Sequence, residues 1–202
     1  FAAYFEALGI NFQRITYSDY TDAQMWYRGS RRGSIDQCFP SKVAVAHIHN
    51  LVFDQKAKKK PDIIFFPIVQ MLRSELANTM DSAACPTVSI TPDVVKAAFT
   101  KEGDVFAENG AQYLAPSLDM SDWRLFEHEM YQCFRDVLGV TERENKEAID
   151  IAESSWREYF EVTLRAEARQ VLDRLEEEGK VGVVLLGRPY HNDPGLNHEI
   201  ML

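Results

Sequence analysis

Apolar residues fall at helical spacing from the start of the chain, at Phe1, Tyr4, Phe5 and Leu8, and the run stops at Gly9, which suits a left-handed helix end. Residues 10–18, INFQRITYS, then read as a first strand. A polar stretch over 19–37 carries Gly29 and Gly33 and predicts only a short helix around 23–27. After Cys38, Pro40 and Ser41 open a helix whose apolar positions are Val43, Val45, Ala46, Leu51 and Val52. It runs to lysines at Lys56, Lys58, Lys59 and Lys60, the solvated end of that helix before Pro61. DIIFFPIV, over 62–69, is nearly all apolar, as expected of a parallel strand covered on both faces. Residues 70–84 fit no single template and end at Cys85. PTVSI then predicts a third strand over 86–90, a helix follows over 92–100, and AQYLAPSL predicts a fourth short strand over 111–118.

Two more helices follow. Ser121 is the expected cap of the first, with Trp123, Phe126, Met130, Phe134 and Val137 on one face and Gly139 closing it. The second opens with a capping box, Thr141 and Glu144, and carries an apolar stripe at Ala148, Ile149, Ala152, Trp156, Phe160, Leu164, Ala168, Val171 and Leu175. Ending at Gly179, it would be roughly 55 Å long at 1.5 Å per residue, more than one small domain needs, so a bridging role is expected. KVGVVLLG, over 180–187, predicts another strand, and Asp193 with Pro194 a further helix start.

This alternation predicts an α/β fold: a Rossmann-like parallel sheet domain of about four strands, then a long helix and the start of a second α/β unit. The expected division is an α/β domain over 1–119, a helical connector over 120–179, and a truncated second α/β domain over 180–202. A chain that begins at Phe1 and stops at Leu202, both within apolar helical patterns, reads as a piece of a longer protein.

With 202 residues, 46% hydrophobic and 26% charged, the chain can bury a sizeable core. Its net charge of −9 and scattered basic residues argue against nucleic acid as a partner, because phosphate neutralisation needs a basic face. No stretch reaches the ~18 consecutive apolar residues of a membrane span. Three cysteines at unrelated spacings do not make a secreted disulfide framework, which points to a reducing cytoplasm.

The chemistry-bearing positions are Cys38 and Cys85, each followed within two residues by proline and each in a loop of the predicted sheet. Ligands of doubly wound sheets gather at the carboxyl ends of the strands, where these loops could meet. A cysteine just before a helix has its thiolate stabilised by the helix N-terminus, which favours metal binding; the alternative is a small buried hydrophobe. His47 and His49 project about 200° apart on a helix and do not share one metal easily. Cys133 lies in a helix beside Phe134 and reads as core. Arg188, Tyr190, His191 and Asn192 follow a strand and precede a helix, a place suited to phosphate, carboxylate or thioester, or else an ordinary β–α turn. The chain has no G-x-x-x-x-G-K-[ST] loop, G-x-G-x-x-G or G-x-S-x-G, so ATP hydrolysis and serine-hydrolase chemistry are not expected of it alone.

CFPSK with a histidine pair shortly after, PDIIFFP, a Cys-Pro some twenty residues on, and VVLLGRPYHNDPGLNHEI together resemble the 2-hydroxyacyl-CoA dehydratase superfamily, most of all the domain of large fused CoA-substrate-specific enzyme activase proteins. The resemblance covers nearly the whole chain. It implies ATP-driven electron transfer at low potential: an activase-type ATPase module, fused or separate, passes an electron to a 4Fe–4S or double-cubane iron–sulfur cluster. In true dehydratases that cluster makes a ketyl radical from a 2-hydroxyacyl-CoA, and water is lost. Cys38 and Cys85 are the implied ligands, with a third expected beyond Leu202, so the excised chain is expected to hold no cluster stably. Acyl-CoA is the implied ligand near Arg188, and a homodimer is a further implied partner. Ala46 departs from the glycine expected before His47.

Overall fold

The computed structural model describes residues 1–16, 18, 27, 38–53, 60–74, 78–80, 82–184, 186 and 187. Strand β1 (Ile63–Phe65) runs parallel to β4 (Gln112–Leu114), and β2 (Ile68–Leu72) runs parallel to β5 (Ser117–Met120), with the short β3 (Ser82–Ala83) antiparallel on the free side of β2. Among the described residues this is a two-stranded parallel sheet and a three-stranded mixed one, in place of the expected four-stranded Rossmann-like sheet.

The expected strands at 62–69 and 111–118 are each split in two, and prolines explain it. Ile63 faces Gln112 and Ile68 faces Ser117, the same offset in both ladders, so Pro67 falls opposite Pro116. Ladder bonds continue around the pair, from Phe66 N–H to the Leu114 carbonyl and from Ile68 N–H to the Pro116 carbonyl, both 2.8 Å. On the other strand, donation begins with Gln112 N–H to the Asp62 carbonyl at 2.9 Å. Donors alternate along a parallel strand, so the third falls on Pro116, which has no N–H to give.

Period-two alternation sends successive side chains of the ribbon into two cores. Ile64 and Tyr113 pack with Val45, Ile48 and Val52 of α2 (Phe39–Phe53), Val95 and Phe99 of α4 (Thr91–Thr100) and Phe106 of α5 (Val105–Glu108). Phe65, Leu114 and Leu118 pack on the opposite face with Tyr4 of α1 (Ala2–Ala7), Phe126, Met130 and Phe134 of α6 (Trp123–Phe134), and Ala148, Ile149 and Ala152 of α7 (Glu142–Arg157). The molecule is therefore mixed α/β, with helices on both faces of a narrow parallel ribbon.

Several helix ends follow the sequence. Gly9 closes α1 at φ +81°, and Thr141 and Glu144 form the complete capping box of α7. Others do not. No strand forms among the described residues of 10–18; Phe12–Arg14 is a 3-10 turn because the Asn11 side chain accepts from Gln13 N–H at 2.9 Å and turns the backbone early. The strand expected at 86–90 is instead the short helix α3 (Pro86–Ser89), since Pro86 at its first position is already set at a helical φ. Asp122, not Ser121, caps α6, accepting from Arg124 N–H at 2.8 Å, while the Ser121 hydroxyl is held by Asp119 at 2.5 Å.

The long helix runs as expected toward Gly179, but through a π-helical segment, Glu158–Thr163, into α8 (Leu164–Glu177). Burial ends early in it. Ala148, Ile149 and Ala152 are buried, whereas no residue of the π segment or of α8 is. No strand forms among the described residues of 180–187: Val181, Val183, Val184 and Leu186 are 81–94% exposed, with no neighbouring strand to pair with. The helix start expected at Asp193 and Pro194, the lysines at 56–59 and residues 23–26 lie outside the described residues.

Candidate functional site

Cys38 stands at the N-terminus of α2. Its carbonyl accepts from Ser41 N–H at 3.0 Å and Lys42 N–H at 3.2 Å, the first bonds of that helix, and Pro40 occupies a first-turn position where no N–H is needed. Cys85 occupies the equivalent place on α3, with φ −59° and ψ 130°, and its carbonyl accepts from Ser89 N–H at 2.9 Å. The Cys85 side chain makes no capping bond. Just before it, Ala84 N–H donates to the Gln70 carbonyl at 2.9 Å, which fixes the approach to Cys85 on the edge of β2. Both cysteines are thiols; Cys38 is exposed and Cys85 half-buried.

A chain of hydroxyls joins the two helix starts. Cys38 Sγ lies 3.3 Å from Ser41 Oγ, Ser41 Oγ lies 2.9 Å from Thr91 Oγ1, and Thr91 Oγ1 donates to the Thr87 carbonyl at 2.7 Å. Thr87 belongs to α3, the helix that Cys85 begins. Ser41 and Thr91 are 2% and 3% exposed, so water does not compete for these bonds. The structure thus brings the two helix N-termini carrying Cys38 and Cys85 into one hydrogen-bonded unit. Sequence reasoning gave Ser41 only a helix-opening role and gave Thr91 none. One signal was present: Cys38-Phe39-Pro40-Ser41 has the spacing of a capping box, cap residue to third helical residue.

The remaining candidates separate. His47 Nδ1 is bonded to the Ser18 hydroxyl, and the His49 ring packs on Phe53 with centroids 4.7 Å apart. Cys133 packs against the core around Tyr4, and burial pushes its thiol up to about 11. Arg188, Tyr190, His191 and Asn192 lie outside the described residues. Among the described residues no group of three or more His, Cys, Asp or Glu side chains is placed to hold a metal ion, and no helix is long and apolar enough to cross a membrane.

A family model described as "CoA enzyme activase uncharacterised domain" matches residues 1–202, and the chain belongs to that family. No curated protein and no solved structure matches it.

Proposed function

We propose, with that membership as the premise, that this domain supplies the Cys38 and Cys85 thiolates to an iron–sulfur centre, 4Fe–4S or double-cubane, in a protein related to the 2-hydroxyacyl-CoA dehydratases. In this reading the electron comes from an activase-type ATPase module, fused or separate; the family's description names a CoA enzyme activase, which supports association with such a module. The observation carrying this reading is the pairing of two cysteine-capped helix starts through Ser41, Thr91 and Thr87.

The donor set fits such a centre in kind. Cysteine thiolates are the ligands these clusters take, and neither sulfur is sealed in the core. The described residues add no third donor beside them, so the rest of the ligand set comes from outside those residues. When bound, the cluster would supply one-electron chemistry at low potential. The chain's own part is positional: Pro40 and Pro86 fix the backbone beside each cysteine, and the buried Ser41–Thr91 bond holds the helix starts together. In the protein that carries this domain, Cys85→Ser should abolish the cluster's visible absorption and electron transfer; unchanged iron content would sink the reading.

A second reading is a cluster-free domain that docks the activase or an acyl-CoA, using Arg188, Tyr190, His191 and Asn192. Its mark would be CoA binding to the metal-free chain, lost on Arg188→Ala.

A further inference from the structure

The hydroxyl chain between the cysteine-capped helices has a direction, and ligation at Cys38 would reverse it. Thr91 Oγ1 is 2.7 Å from the Thr87 carbonyl, and a carbonyl only accepts, so the single Thr91 hydroxyl hydrogen is committed there. The 2.9 Å bond between Ser41 and Thr91 therefore takes its hydrogen from Ser41. At the 3.3 Å contact with Cys38, the Ser41 oxygen then accepts and the thiol donates. Every hydrogen in the chain points away from the sulfur, toward α3.

A sulfur bound to a metal has no hydrogen to donate. Ser41 must then turn its own hydrogen onto Cys38 Sγ. Its oxygen can still bond Thr91 only if Thr91 leaves the Thr87 carbonyl; otherwise two lone pairs face each other at 2.9 Å with no water to intervene, since both hydroxyls are buried. We propose that Ser41 is a positioning residue for the Cys38 sulfur, turning its hydroxyl onto that sulfur when Cys38 acts as a ligand, and that Thr91 transmits the turn to the Thr87 carbonyl in the helix that Cys85 begins. This rests on the reading of Cys38 as a metal-binding thiolate. Partners that orient a ligand typically contribute about 10–100-fold in metal affinity.

The two hydroxyls have opposite effects on ligation. Ser41→Ala removes the donor to sulfur. Thr91→Val frees the Ser41 hydrogen for the sulfur in advance and removes the bond that ligation breaks.

The test is titration of the 202-residue chain with cadmium ion alone, read by thiolate-to-cadmium absorption in the ultraviolet, with circular dichroism confirming that each variant is folded. Ser41→Ala should bind about 10–100-fold more weakly than the parent, while Thr91→Val binds at least as tightly. Weakening of both variants alike would reduce the pair to packing and overturn the proposal, as would an unchanged Ser41→Ala. Should Ser41→Ala not fold, Thr91→Val decides: equal or tighter binding supports the proposal and weaker binding overturns it. If the parent shows no thiolate band, or keeps it in Cys38→Ser, the reading of Cys38 as a ligand fails and the proposal falls with it. A band lost in Cys38→Ser but indifferent to Ser41→Ala overturns the proposal alone.

Discussion

Ser41 and Thr91, fifty positions apart in the chain, share a 2.9 Å hydroxyl–hydroxyl bond in the buried angle between α2 and α4. Removing either hydroxyl breaks a buried hydrogen bond, so Ser41→Ala and Thr91→Val should each destabilise the fold by about 1 kcal/mol in denaturant unfolding. The double variant should lose less than the sum, because the second change removes a group that the first left without its partner. Strict additivity would show that the two side chains act separately.

Glu144 closes the capping box of α7, accepting from both the hydroxyl and the backbone N–H of Thr141, and these bonds hold its carboxyl below the usual carboxylate range. A carboxylate lowered on folding adds stability that is present above its unfolded value and lost as pH falls through its folded one. The parent should therefore outlast Glu144→Gln in thermal unfolding at neutral pH, and the difference should close as pH falls below about 4, the ordinary glutamate range. A gap independent of pH would mean that the charged box contributes nothing.

Cys133 and Cys38 should react very differently. Burial raises the Cys133 thiol to about 11, so at pH 8 its alkylation should run roughly a hundredfold slower than that of an unperturbed cysteine. Cys38 is exposed and should label without unfolding. Peptide mass spectrometry after timed iodoacetamide treatment reads both, and early labelling of Cys133 would contradict its place beside Tyr4.

Val183 and Leu118 are both aliphatic, with opposite fates: 86% and 0% exposed. Val183→Lys should leave unfolding within about 0.5 kcal/mol of the parent, since no described residue covers so exposed a side chain. Leu118→Ala should destabilise by about 2–5 kcal/mol, because it opens a cavity against Phe126 and Met130 in the shared core. A large loss from Val183→Lys would mean that the 180–187 run is packed in solution.

The sequence announced what depends on near neighbours. Gly9, the pair of Thr141 and Glu144, and the Pro40–Ser41 opening of α2 act within a few residues, and each is visible in the pattern. What depends on register was hidden. Pro67 and Pro116 divide two apolar runs because they meet across the ribbon, a fact that neither run contains. PTVSI has strand composition, yet Pro86 at the first helical position makes it helical, a local signal outweighed in the pattern by its β-branched residues. At the site, both cysteines were conspicuous by their prolines, but Thr91 was not, because its importance lies in the distant Ser41 it bonds.

The central proposal, that Cys38 and Cys85 are ligands of one iron–sulfur centre, is tested most directly by iron and sulfide content with the visible spectrum, after strictly anaerobic reconstitution of the protein that carries this domain. Cys38→Ser and Cys85→Ser are measured beside it. Stoichiometric iron and sulfide in the parent, falling sharply in both variants, is the expected result. Iron and sulfide retained in full by either variant, or absent from the parent, would contradict it.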